Sequence, residues 1–139
     1  MKKIVVMMMI LVSCASYSWE KSETDGIKNF YCESDSKIST LVVTIADNNG
    51  REERFISLDA RDFEEMPDQI FVIAFIDSEY IGDIAFCNNG NKLYMAKLKN
   101  KLLGKMFDGY NMQLVISDEA YSYVKKENYL IYGLKENMR

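Results

Sequence analysis

The chain has 139 residues, 48% of them hydrophobic and 27% charged, and a formal net charge of −4. This length and composition predict one globular domain and exclude disordered and collagen-like chains. The absence of histidine excludes Ser-His and Cys-His couples and the usual zinc ligands. The acidic balance argues against nucleic acid as a partner, because phosphate neutralisation supplies most of that affinity.

The first 18 residues are typical of an export signal. Lys2 and Lys3 precede an unbroken apolar run at residues 4–12, which is too short to span a bilayer that requires about 20 residues. Small residues at Ser16 and Ser18 predict cleavage before Trp19, so residues 1–18 are predicted to be a signal peptide. The mature protein is then secreted or periplasmic, and its 15 basic and 21 acidic residues give a net charge of −6.

A second cleavage site competes with the first. The tetrapeptide Leu11-Val12-Ser13-Cys14 resembles the lipobox of bacterial lipoproteins, in which the cysteine becomes the lipid-bearing first residue. Cys14 is therefore a candidate lipidation site, and lipidation would anchor the protein in the outer membrane. Membrane attachment is expected only on this branch.

The cysteine count fits export on both branches. Once Cys14 is removed or lipidated, Cys32 and Cys87 remain as an even pair in an oxidising compartment. They are predicted to form a disulfide, and the alternative is two free buried thiols.

The mature chain is predicted to consist of a polar lead-in at residues 19–36 and a single domain at residues 37–139. Strands are predicted at 37–47 and 52–58, joined at Asn48-Asn49-Gly50, because Asn-Gly is the strongest short hairpin signal. A third strand region follows at 69–76 and 80–87, with a bend at Gly82. A helix is predicted over 92–108, capped at its start by Asn91 and at its end by Gly109. The last two strands are predicted at 112–117 and 129–134, after a polar loop at 118–128.

Five strands with one helix between the third and the fourth predict a mainly β fold. This is the order of an OB-fold, a small Greek-key barrel. The alternative is an α+β sheet with the helix packed on one face.

Nothing in the sequence predicts a catalytic residue, a metal site or a cofactor. Adjacent acidic residues on a strand point to opposite faces, so they are not natural acid/base pairs. The carboxylates of a minor hydrolase hypothesis are Glu64, Glu65, Asp118 and Glu119. A calcium hypothesis rests on Asp59, Asp62, Glu64 and Glu65, but it lacks the EF-hand spacing.

Lysines and tyrosines are the remaining candidates for binding. Five lysines fall in or beside the predicted helix and could face an acidic partner or anionic lipid, or simply form a solvated face: Lys92, Lys97, Lys99, Lys101 and Lys105. Tyrosine suits sugar rings and protein interfaces, although structural burial is the simpler explanation. The tyrosines concerned are Tyr80, Tyr110, Tyr121, Tyr123, Tyr129 and Tyr132.

Short motifs in the C-terminal half resemble a toxin family. They are Ala85-Phe86-Cys87 before the helix, residues 112–116 (MQLVI) after it, and Tyr132-Gly133-Leu134 near the end. Together with Phe30-Tyr31-Cys32 and Trp19-Glu20, they resemble the B subunits of bacterial AB5 toxins of the subtilase cytotoxin and typhoid toxin type. The resemblance implies an OB-fold, a homopentamer and binding of host glycans. This chain is more acidic and lacks further cysteines near its end, so no ligand-binding residue is assigned from the family.

Two functions follow as hypotheses. The first is an exported, non-enzymatic, ring-forming binding module that recognises cell-surface glycans. The alternative is a small periplasmic or outer-membrane lipoprotein that binds an envelope protein.

Overall fold

The computed structural model describes residues 19–61, 63, 69–118 and 124–138. These residues form one antiparallel sheet of nine strands and two short helices. The strands are β1 (Glu20–Thr24), β2 (Ile27–Glu33), β3 (Thr40–Asn48), β4 (Arg51–Asp59), β5 (Gln69–Ile76), β6 (Glu79–Asn88), β7 (Leu93–Lys97), β8 (Asn111–Ser117) and β9 (Val124–Leu130). The helices are α1 (Asn100–Asp108) and α2 (Leu134–Asn137). The strand order is β1-β2-β3-β4-β7-β6-β5-β8-β9.

Two-residue turns set the register of three hairpins. The predicted turn between β3 and β4 is confirmed, with Asn49 and Gly50 at φ 54° and 81°. Positive φ at both central residues defines the turn type whose twist matches that of paired strands. Asp25-Gly26 and Asp77-Ser78 adopt the same conformation between β1 and β2 and between β5 and β6.

Alternate side chains of the strands form a single apolar core. In β5, four alternate residues are buried on one face: Ile70, Val72, Ala74 and Ile76. Phe30, Leu41, Ile56 and Phe86 on other strands are also fully buried. Helix α1 contributes Leu103 and Met106 to the same core.

The sheet curls until the chain that follows β2 meets β9, but it does not close. The contact consists of one isolated bridge between Ser34 and Tyr129 and a 2.9 Å bond from the Asp35 amide to the Asn128 carbonyl. Trp19 lies beside this seam, where its indole Nε1 donates to the Ile131 carbonyl at 2.8 Å. The start and the end of the described chain are therefore joined inside the core.

The mainly β prediction is confirmed, but the five-stranded barrel is wrong. The sheet has nine strands, and α1 lies between the seventh and the eighth. The expected polar lead-in contains β1 and β2, and it places Phe30 and Cys32 in the core. The last strand, β9, occupies part of the expected polar loop, and α2 begins where that strand was predicted to end.

The predicted helix over 92–108 is correct only from Asn100 onwards. The preceding segment forms β7, in which Met95 and Ala96 pair with Ser57 and Ile56 of β4. The helical spacing of apolar residues is overridden because β4 pairs with this segment. Asn91 lies in the turn before β7 and caps no helix.

One glycine inside α1 and the glycine that follows it provide a matched test of this packing. A Cβ on Gly104 would meet nothing within 4 Å, whereas one on Gly109 would lie 2.5 Å from Ile76 Cγ2. We expect Gly104→Ala to stabilise the fold by about 0.5–1 kcal/mol, because alanine is the better helix residue. We expect Gly109→Ala to destabilise it by about 1–3 kcal/mol through overpacking. Urea denaturation measures both changes, and effects of the same sign would contradict the packing described.

Gly109 ends α1 for a different reason from the one predicted. Its φ is −96°, so it does not adopt the left-handed conformation expected of a C-terminal glycine. The close approach of Ile76 explains the missing side chain instead.

Candidate functional site

The predicted disulfide between Cys32 and Cys87 is not formed in this structure. Both residues are free thiols, Cys32 buried and Cys87 exposed. They lie on β2 and β6, which are separated in the sheet by β3, β4 and β7. The side chain of Cys32 packs in the core, whereas that of Cys87 is exposed on the surface. Cys14, the candidate lipidation site, lies with residues 1–18 outside the described part of the chain.

The two thiols are expected to differ in reactivity. Burial, with help from Asp35 and Glu33, raises the pKa of Cys32 from 9.0 to about 12. Only the thiolate is alkylated, and this shift lowers the thiolate fraction about a thousandfold. We expect iodoacetamide at pH 8 to label Cys87 rapidly and Cys32 only after unfolding, as read by peptide mapping. Protection of both until a reductant is added would instead demonstrate the bond.

The carboxylates of the hydrolase and calcium hypotheses are mostly outside the described residues, which omit Asp62, Glu64, Glu65 and Glu119. Of the rest, Asp59 pairs with Arg61 at 2.8 Å. The described ranges contain no group of three or more residues arranged to hold a metal ion. They also contain no helix that is long and apolar enough to cross a membrane.

The tyrosines that are described do not form one surface. Tyr129 is fully buried, while Tyr110 and Tyr132 are exposed and stack on each other with ring centroids 4.8 Å apart. Tyr80 is exposed and donates to Asp83 at 2.9 Å, which raises the pKa of its hydroxyl. Tyr121 and Tyr123 lie outside the described residues.

The most distinctive surface feature is a cleft between β6 and the segment from β7 into α1. Strand β6 pairs with β7 only at Cys87 and Asn88. After β7 the chain stays beside β4, because the Leu98 amide donates to the Arg54 carbonyl at 3.0 Å. Arg54 Nη1 also donates to Asn100 Oδ1 at 2.7 Å, at the start of α1. The chain therefore diverges from β6 and leaves a cavity of about 430 Å³.

We call this cavity the lysine cleft, after its rim. The floor is apolar and built largely from small side chains: Ala74, Ile81, Gly82, Ile84, Ala85, Ala96 and Leu102. The charged residues that line it are Lys97, Lys99, Lys101 and Asp83. This volume and an apolar floor with a few polar groups are typical of a ligand site.

The electrostatics of the lysine cleft favour an anion. Lys97, Lys99 and Lys101 are exposed, and none forms an ion pair with another described residue. Asp83 offsets one of these charges and also accepts the Tyr80 hydroxyl bond. Helix α1 begins here with no acidic residue in its first turn, so its dipole adds to the positive potential. A local positive surplus on a net-acidic chain is the condition for charge-selective binding.

A second cavity lies on the outer face of β2, β3, β4 and β7. We call it the polar hollow. Its volume is about 540 Å³, and most of the residues that line it have polar side chains: Asn29, Tyr31, Val42, Thr44, Ser57, Asp59, Arg61, Asn89, Gly90, Asn91, Leu93 and Met95. Thr44 donates to Asn29 Oδ1 at 2.7 Å across its floor. One aromatic face among amide and charged groups suits a polyhydroxylated ligand.

A buried polar cluster at the seam was not predicted. The Glu127 carboxylate is buried and accepts bonds from Ser36 at 2.9 and 3.0 Å and from Ser39 at 2.7 Å. Ser39 also bonds the Tyr129 hydroxyl at 2.6 Å. Burial is the main reason that the pKa of Tyr129 is raised. Every buried side-chain polar atom among the described residues has a partner, so this cluster is built to hold the seam rather than to receive a ligand.

The lysines were identified from sequence, but the cleft was not. Its walls come from residues far apart in the chain, between Ala74 and Leu102, and no local pattern marks the point where β6 and β7 separate. The serines of the seam cluster likewise carry no signal that links them to Glu127.

Comparison with known proteins adds no relative. No protein-family model, no curated protein and no solved structure matches this chain. The resemblance of the C-terminal half to AB5 toxin B subunits therefore stays a prediction, and the site must be interpreted from its own chemistry.

Proposed function

We propose that this protein is an exported, non-enzymatic binding module that holds an acidic region of a partner protein in the lysine cleft. The observation that carries this proposal is the set of three exposed lysines, unpaired among the described residues, around an apolar floor. Such a site offers charge and apolar contact, which together favour an acidic peptide over a neutral one.

Binding to a labelled oligoglutamate peptide tests this function. We expect salt-sensitive binding, and we expect Lys99→Glu/Lys101→Glu to weaken it about tenfold or more. The matched control is Lys126→Glu/Lys135→Glu, which changes the net charge equally at exposed positions outside the cleft. No binding by the unaltered protein, or equal losses in the two double variants, would contradict the proposal.

Export is proposed from the first 18 residues. The mass of the protein recovered from its own host separates the two cleavage branches. A first residue at Trp19 supports a secreted or periplasmic protein, whereas a lipid on Cys14 supports an anchored lipoprotein. A full-length mass would contradict export.

Glycan recognition is the second candidate, and the polar hollow favours it. Tyr31 offers a half-buried aromatic face beside Asn29 and Thr44, a combination that can bind a sugar ring. We expect a glycan array to show binding that Tyr31→Ala removes. The homopentamer proposed with this function would appear as a fivefold mass in native mass spectrometry. A blank array together with a single-copy mass would exclude this candidate.

A further inference from the structure

We propose that the acidic partner enters the lysine cleft as an extended strand and pairs with the free edge of β6. This inference rests on the proposed function, since it specifies the conformation and the sequence pattern of the partner. The proposed binding mode is β-strand addition, in which main-chain hydrogen bonds give affinity and side-chain contacts give specificity.

The free edge of β6 is the first observation. On one side, β6 pairs with β5 along almost its whole length, from Glu79 to Cys87. On the other side, only Cys87 and Asn88 meet β7. No other backbone bond from residues 81–86 to described residues exists on that side. About six residues, or roughly 20 Å of strand at 3.3 Å per residue, therefore have no backbone partner on this side among the described residues.

The composition of this edge is the second observation. Exposed edges are normally blunted by lysine, proline or inward-pointing charge, because they template unwanted pairing. Residues 81–86 of β6 contain no lysine and no proline, and their single charged side chain is that of Asp83. The lysines lie on the opposite wall instead, where they select against neutral or basic strands by charge.

The third observation is that the cleft is apolar on its inner side and basic at its rim. This difference determines which side chains of the partner would fit on each face. Gly82 and Ile84 of β6 pair with Ala74 and Val72 of β5, whose side chains are buried in the core. Paired residues point to the same face of the sheet, so Gly82 and Ile84 also face inward. The inner face of an added strand would thus meet small apolar groups. The lysines line the exposed rim. Because side chains alternate along a strand, the fitting sequence alternates apolar and acidic residues.

A six-residue peptide with alternating Glu and Val tests the pattern. We expect it to bind at least about fivefold more tightly than a peptide with the same composition in two blocks, as measured by fluorescence anisotropy. Equal affinities would overturn the alternating pattern. Binding of neither this peptide nor oligoglutamate would overturn the proposed function itself.

Backbone methylation tests the strand directly. Successive amides of a strand point to opposite edges, so methylating the Val amides blocks one edge and methylating the Glu amides blocks the other. We expect one series to lose binding at least about tenfold and the other to keep it. Equal loss or no loss in the two series would overturn strand addition while leaving acidic binding intact.

A variant of the protein locates the pairing. A Cβ at Gly82 meets nothing within 4 Å, so Gly82→Leu fills the floor of the cleft without a clash at Cβ. We expect this variant to bind the alternating Glu-Val peptide at least about fivefold more weakly, with an unchanged far-UV circular dichroism spectrum. Gly104→Leu is the matched control, because Gly104 is equally open but lies outside the cleft. Unchanged binding to a folded Gly82→Leu variant would overturn the inference.

Discussion

Replacement of Glu127 with alanine is expected to lower the free energy of unfolding by about 3 kcal/mol. The variant removes a buried carboxylate that accepts bonds from Ser36 and Ser39. Hydrogen bonds to a charged group are worth roughly 1.5–3 kcal/mol, and the stranded hydroxyls add a desolvation cost. Urea denaturation at pH 7 measures the change.

Two control variants separate the cluster from a general charge effect. Glu127→Gln keeps one acceptor oxygen and should cost less than Glu127→Ala. Glu136→Ala removes an exposed carboxylate, and we expect a change within about 0.5 kcal/mol. If Glu127→Ala changed stability as little as Glu136→Ala, the seam would not depend on this cluster.

Replacement of Trp19 with alanine is expected to cost about 3–5 kcal/mol, the usual loss for a large buried aromatic side chain. Trp19 is only 3% exposed, and its indole is bonded to Ile131 at the other end of the chain. Asn137 also donates to its carbonyl at 2.8 Å. The variant therefore loses the packing of the ring and the indole bond to Ile131, while the bond from Asn137 to the backbone carbonyl remains possible.

Circular dichroism must follow this unfolding, because Trp19 is the single tryptophan of the chain. Trp19→Phe keeps most of the ring but loses the indole donor, so it should cost less than the alanine variant. A loss of under 1 kcal/mol for Trp19→Ala would show that the first described residues contribute little to the core.

Local patterns predicted the middle of the sheet well. The hairpin of β3 and β4, the strands β5, β6 and β8, and an irregularity near Gly82 all follow from alternation and turn residues. The register between β5 and β6 shifts at Ala74/Phe75, directly opposite Gly82. Residues close together in the sequence determine these features, so they can be predicted from local sequence patterns.

Features set by distant neighbours were missed. The spacing of Met95 and Leu98 is compatible with a helix, and the local sequence contains no signal for the pairing of this segment with β4. Strand β1 was missed for a local reason instead: residues 20–24 (EKSET) include no apolar residue, so no alternation marks the strand, although Asp25-Gly26 is a hairpin turn signal. The disulfide between Cys32 and Cys87 stays a prediction, which the alkylation experiment tests.

The sequence offers five lysines as a candidate basic surface, but the structure places only three of them at the cleft. Lys97, Lys99 and Lys101 line the cleft, whereas Lys105 does not. The cleft exists because the chain after β7 follows β4 rather than β6. No spacing of residues in the sequence encodes that divergence.

The most direct test of the account is an NMR titration of the ¹⁵N-labelled protein with the alternating Glu-Val peptide. The central claim is that acidic ligands bind between β6 and α1. It predicts that the largest amide shifts fall within residues 81–86 and 96–102. Shifts centred on Asn29, Tyr31 and Thr44 in the polar hollow would contradict it, as would saturating peptide that leaves both segments unchanged.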